Sequence, residues 1–229
     1  MSIARLDSLR AVVFDLDGLM FDSEALYHRV ASALLAARGK EFTPEMMRTM
    51  LGRRAAEVTS VLREMAGLEE SVEEILAETR SRFYALMDTE VRYMPGLEIL
   101  LDHLRALGLP LAVATSSRRS YAERLLGGHG LLERFEFLLT SEDVMRGKPD
   151  PEIYLSAAAR FGVAPVAMAV LEDSPPGIAA ARAAGAFAIA VPHEHSPASG
   201  LAEAHLIVSR LDDPALLGLL PPLPHNDQR

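Results

Sequence analysis

A chain of 229 residues with 49% apolar and 24% charged side chains is long enough for one ordinary core plus a smaller insert, and its composition is that of a globular soluble protein. Its net charge of −9 provides no basic stripe of the kind a nucleic-acid partner requires, and no apolar run approaches the ~18 residues of a membrane span. With no cysteine, disulfides, thiolate catalysis and cysteine-held zinc are excluded, and the opening MSIARLDSLR lacks the apolar stretch of a secretory signal, so a cytoplasmic location is expected.

The first predicted element is a buried strand over 11–14, AVVF, which delivers Asp15 and Asp17 onto a turn at Gly18. Two carboxylates so close raise each other's pKa unless a cation lies between them. The pair therefore asks for a metal, and oxygen-only ligands suit Mg²⁺, which keeps several waters and shares its shell with a substrate phosphate. Taken alone, D-x-D-G also fits an ordinary strand-to-loop turn. Next, Ser23 opens a helix running toward Arg38, Thr43-Pro44 gives a second helix a cap and an N1 proline, and Ser71-Val-Glu-Glu74 is a capping box. Residues 19–92 thus read as an all-helical insert, with junctions near Leu19 and Tyr93 where a hinge would lie.

From Met94-Pro95-Gly96 the pattern changes to helix–strand units. An amphipathic helix is predicted over 97–107, a strand over 109–114 and a helix over 120–126 closed by Gly127-Gly128. Further strands are expected over 135–139, 167–171 and 187–191. The helices between them are capped by Asp150-Pro151 and Ser174-Pro175, the second ending before Gly185. This alternation predicts an α/β fold, a doubly wound parallel sheet with right-handed crossovers, in a core formed by 1–18 and 93–229. The tail 221–229 is expected to fray.

Three further motifs fall at predicted strand ends. Thr115-Ser116-Ser117 offers a hydroxyl and free N–H groups at a helix start, a place to hold phosphate oxygens or an ordinary cap. Gly147-Lys148-Pro149-Asp150-Pro151 puts an ammonium on a stiff turn. Of 23 basic residues only Lys40 and Lys148 are lysines, which suggests that Lys148 serves for its compact charge. Glu172 and Asp173 end a buried strand. A helix cap explains one of these acids but not both, and strand alternation sends the two in different directions. In open α/β sheets ligands bind outside the carboxyl ends of the strands, so all four motifs converge on one rim.

Together, DLDG, ATSS, GKPDP and LEDSPPGIAAARAAG make the chain, from about Arg10 to Leu211, resemble the haloacid dehalogenase superfamily. The helical insert is similar to the C1 cap of the branch that holds β-phosphoglucomutase, pseudouridine-5'-phosphatase and sugar-phosphate phosphatases. The resemblance implies a Rossmann-like core with an inserted cap and hydrolysis of a small phosphorylated metabolite. It implies Asp15 as nucleophile and Asp17 as acid and then base. Mg²⁺ would be held by Asp15, the Asp17 main-chain carbonyl and Asp173, with Glu172 in support. Lys148 would stabilise Asp15 and the transferring group, while Thr115 and the Ser116 N–H would hold its oxygens. In the cap, Glu24, Gly52 and Arg53 would face the substrate, whereas His28 is read as a polar helix residue.

Two alternatives remain within this reading, a hexose-phosphate mutase and a phosphometabolite-binding protein without turnover. Dehalogenation is disfavoured, because halide needs no proton and Asp17 supplies one. The cap histidine of the mutases would fall on Tyr27, with His28 one residue late, and their cap lysine has no counterpart, Lys40 being too near the start of the insert and Arg80 being the nearest basic candidate. Both departures favour water as acceptor. A monomer without nucleic-acid or membrane partners is expected.

Overall fold

A computed structural model of the chain describes residues 8–50, 55–194, 196 and 200–221, excepting the side chains of residues 48, 50, 55 and 56. The chain divides into two compact units, one running up to Asp22 and resuming at Tyr93, the other Ser23–Arg92. Among the described residues no helix is long and apolar enough to cross a membrane.

The first strand, β1 (Ala11–Phe14), is buried along its whole length, as expected for an apolar run covered on both faces. The helical unit follows with α1 (Ser23–Ala36), α2 (Pro44–Met50), α3 (Ala55–Ala66) and α4 (Val72–Glu90). Its core joins Leu34 and Leu35 to Met46, Leu62, Ala66, Leu68 and Ile75. Local chemistry sets the helix starts. Thr43 Oγ1 accepts the Met46 N–H at 3.2 Å ahead of Pro44. Ser71 and Glu74 form the reciprocal capping box, each side chain accepting the other's backbone N–H. Arg38 ties α1 to the start and body of α4, donating to Glu70 at 2.7 Å and to Glu78 at 2.6 Å.

The other unit continues with α5 (Leu97–Ala106), β2 (Leu111–Ala114), α6 (Arg119–Gly128), β3 (Phe137–Leu139), α7 (Glu152–Phe161), β4 (Met168–Glu172), α8 (Pro175–Ala184), β5 (Phe187–Ala190), β6 (Leu206–Ile207) and α9 (Pro214–Leu217). The six strands form one sheet in the order β3-β2-β1-β4-β5-β6, every pair parallel. This is the doubly wound α/β sheet expected from the sequence. The chain winds from β1 outward through β2 to β3, then crosses to β4 on the opposite side of β1. That reversal makes the carboxyl end of β1 the switch point of the sheet, where a crevice opens.

Small residues let helices pack close to the sheet. Ala112, Ala114, Ala188 and Ala190 share a core cluster with Tyr154, Ala157 and Ala158 of α7 and with Ile178, Ala180, Ala181 and Ala184 of α8. Strands β2 and β3 each begin two residues later than the apolar runs suggested, and β5 ends one residue earlier, at Ala190. Leu109 instead closes α5, donating its N–H to the Leu104 carbonyl, and residues 132–134 form a 3₁₀ turn before β3. At its other end β4 reaches one residue further than expected, so Glu172 is a strand residue paired with Ala190. The short β6 and α9 have no counterpart among the expected elements.

Candidate active site

Backbone ladders place the acidic side chains. Asp15 directly follows β1, and its N–H donates to the Leu171 carbonyl of β4 at 3.0 Å, which keeps it beside Glu172 and Asp173. The turn beyond it needs Gly18, whose φ is +79°. A Cβ there would stand 2.4 Å from Asp173 Oδ2, so the turn closes tightly over that carboxylate.

Lys148 reaches this point from the loop ahead of α7, with its side chain only 4% exposed. Its ammonium donates to Asp15 Oδ1, to the Ala114 carbonyl at 2.9 Å and to Glu172 Oε1 at 2.6 Å. The three acceptors match the three donors of an ammonium. Asp150 supports the presentation of the lysine by accepting the Glu152 N–H at 3.0 Å, which caps α7.

Asp15, Glu172 and Asp173 are buried, and each offers an oxygen within 4.8 Å of the others. One ammonium faces these three carboxylates. Burial, opposed by Lys148 and reinforced by Glu172 and Asp173, pushes the Asp15 carboxyl well above the usual carboxylate range. Burial likewise raises Asp173 to about 6, against the hydrogen bond from His193. Burial alone would pull the Lys148 ammonium down, but Asp15 and Glu172 outweigh it and hold the group well above its ordinary value. The excess of negative charge and the all-oxygen donor set fit a hard divalent cation, which would offset the repulsion.

Asp17 lies at the same strand end, tied by a bridge to Phe21. Its oxygens accept hydroxyls from the β2–α6 segment: Ser117 Oγ donates to Oδ2 at 2.7 Å and Tyr121 OH to Oδ1 at 2.5 Å. Thr115 is 1% exposed, and its Oγ1 accepts the Ser117 N–H at 3.0 Å, while Ser116 is exposed. The Thr115 hydroxyl therefore shapes the turn that presents Ser116. In the helical unit, Glu24 stands in the first turn of α1 and His28 packs edge-on against Phe42. Gly52 and Arg53 lie outside the described residues.

Residues 12–191 match the model of the haloacid dehalogenase-like hydrolase family. The chain belongs to that family. It is an enzyme, a hydrolase of the phosphatase kind, as several of its relatives are named. It is 35% identical over 206 residues to validoxylamine A 7'-phosphate phosphatase of Streptomyces hygroscopicus subsp. limoneus, covering 89% of this chain and 95% of that protein. To the probable pseudouridine-5'-phosphatase of Drosophila melanogaster it is 34% identical, over 88% of this chain and 89% of the relative. Among solved structures, a hydrolase of the family from Deinococcus radiodurans R1 with bound phosphate and sodium superposes with a TM-score of 0.78 at 31% identity, covering 94% of this chain and 99% of that one.

In this haloacid dehalogenase-like hydrolase the structure also brings in Tyr154 and His193, which the motifs did not mark, and gives Ser174 and Ser117 contacts beyond those expected of them. Tyr154 of α7 is fully buried and donates to Glu172 Oε1 at 2.5 Å, and Ser174 Oγ donates to the other Glu172 oxygen at 2.8 Å. His193, after β5, has Nε2 3.1 Å from Asp173 Oδ2. Within the Thr115-Ser116-Ser117 motif, Ser117 supplies the hydroxyl that meets Asp17. One available signal was the tyrosine six positions after Lys148 on an otherwise alanine-rich helix.

Proposed function

We propose that the protein hydrolyses a small phosphorylated metabolite, of the sugar-phosphate or nucleoside-phosphate type, in a Mg²⁺-dependent reaction through an aspartyl phosphate at Asp15. The observation that carries this reading is the convergence of Asp15, Lys148, Glu172 and Asp173 at one strand end, with Asp17 two residues beyond the nucleophile. The named activities of the relatives, all on phosphate esters, support it.

In this mechanism Asp15 attacks phosphorus as the carboxylate. Lys148, fixed by three acceptors, orients that carboxylate and faces the charge that grows on the phosphoryl oxygens. Asp17 gives its proton to the departing alkoxide, then takes one from the water that opens the aspartyl phosphate. Thr115 and the Ser116 N–H hold the remaining phosphoryl oxygens. Mg²⁺, bound by Asp15, Asp173 and the Asp17 carbonyl, would supply the positive charge that lets two anions meet. Glu172, saturated by Lys148, Tyr154 and Ser174, serves by anchoring the lysine. In this reading the helical unit is a C1-type cap whose residues, Glu24, Gly52 and Arg53 among them, select the leaving group.

The test is a panel of phosphate monoesters assayed for phosphate release with Mg²⁺ and with EDTA, β-glucose 1-phosphate plus a bisphosphate activator included. Hydrolysis of one or more sugar or nucleoside phosphates, lost in chelator, is expected. Turnover that persists in chelator would overturn the metal requirement. Glucose 6-phosphate formed faster than free phosphate would replace the phosphatase with a mutase.

A further inference from the structure

Asp17 must aim a proton, and the structure gives its carboxyl group a specific support. Both oxygens are engaged, Oδ1 by the Tyr121 hydroxyl at 2.5 Å and Oδ2 by the Ser117 hydroxyl at 2.7 Å. Tyr121 is 7% exposed in the first turn of α6, so its ring is held by the core and its hydroxyl is delivered from a fixed direction. Ser117 comes from the preceding loop, where the Thr115 side chain accepts its N–H. Donors at both ends of a carboxyl group fix the rotation of its plane. Each oxygen keeps a second acceptor position, which leaves a place for the proton that reaction requires.

We propose that Tyr121, together with Ser117, is a positioning residue that aims Asp17 at the leaving oxygen of the phosphate ester. The inference rests on the phosphatase reading above. In the step concerned, a bond forms from an Asp15 oxygen to phosphorus and the ester P–O bond breaks, its electron pair passing to the leaving oxygen. The Asp17 proton moves to that oxygen, leaving Asp17 as the carboxylate. Aim matters in proportion to how much the leaving group needs the proton. An alkoxide needs it; a nitrophenolate leaves without it.

The experiment compares kcat/KM, which covers the steps up to leaving-group departure, for p-nitrobenzyl phosphate and p-nitrophenyl phosphate. The two share a ring and differ in whether an alkoxide or a phenolate leaves. General acid catalysis contributes roughly 10²–10⁴-fold, so a misaimed acid in Tyr121→Phe or Ser117→Ala is expected to lose about tenfold or more on the benzyl ester and less than about threefold on the phenyl ester. Ser117→Thr, which keeps the hydroxyl, should restore the benzyl rate. Asp17→Asn should show the same selectivity at larger amplitude. Equal losses on both esters, or none on either, would overturn the positioning role. Should Tyr121→Phe fail to fold, Ser117→Ala carries the same decision. Asp15→Asn separates the two claims: if it still hydrolyses both esters the aspartyl-phosphate route through Asp15 falls and the inference with it, whereas equal losses in Tyr121→Phe beside an inert Asp15→Asn remove the positioning role alone.

Discussion

Tyr154 donates its hydroxyl at 2.5 Å to the same Glu172 oxygen that takes the Lys148 ammonium at 2.6 Å. The tyrosine ring also lies under that ammonium, 5.2 Å from Nζ to the ring centroid. Lysine, glutamate and tyrosine are thus one buried unit, and the position of Lys148 over Asp15 depends on all three. Tyr154→Phe keeps the ring and deletes a hydrogen bond to a charged group, so a loss of about 1.5–3 kcal/mol in unfolding free energy is expected, with a fall in kcat. Urea denaturation measures the first. Stability equal to wild type would mean that the hydroxyl adds nothing to the anchor.

Gly177 in the first turn of α8 allows the Glu172 carboxylate to lie where it does. A Cβ at that position would stand 1.9 Å from both Cδ and Oε1 of Glu172. The glutamate is fully buried and held by three side chains, so it has nowhere to withdraw. Gly177→Ala is therefore expected to destabilise by about 1–3 kcal/mol, the usual range for an overpacked core, and to lower kcat by displacing Lys148. Thermal unfolding and steady-state kinetics on the purified variant check both. A variant as stable and active as wild type would show that the helix shifts freely.

Much of this site was legible in the sequence because strand-end carboxylates stand out. Asp15, Asp17, Glu172 and Asp173 follow apolar runs, and although a turn or a helix cap accounts for some of these acids singly, their shared place at strand ends points to one rim. Lys148 stood out by the rarity of lysine. Tyr121, Tyr154 and His193 did not, since each meets its partner across the fold: Tyr121 is 104 positions from Asp17. On a helix such a tyrosine looks like any core aromatic. The parallel sheet was readable from the helix–strand alternation, whereas β6 was not, as Leu206-Ile207 pairs with β5 through two residues and carries little pattern of its own.

Proton and metal should compete at Asp173. Its folded-state pKa, raised to about 6 mainly by burial, lies above the ordinary 3.8, so its contribution to the metal-free fold is present below 3.8 and lost as pH rises through about 6. Mg²⁺ reverses this, because it binds the deprotonated carboxylates. The rise in melting temperature on adding Mg²⁺ should therefore be small near about pH 5 and grow toward about pH 8. Taking the difference with and without Mg²⁺ at each pH cancels groups far from the site. A difference constant over that range would remove Asp173 from the metal site.

The central claim is that phosphorus passes through Asp15. The direct measurement is to quench the enzyme with acid during turnover of its best ester in Mg²⁺, reduce it with borohydride and map the peptide that spans the end of β1. An aspartyl phosphate is reduced to homoserine, so homoserine at position 15 is expected, absent from Asp15→Asn and from enzyme quenched without substrate. Steady release of phosphate with aspartate intact at position 15 throughout, or wild-type turnover by Asp15→Asn, would contradict it.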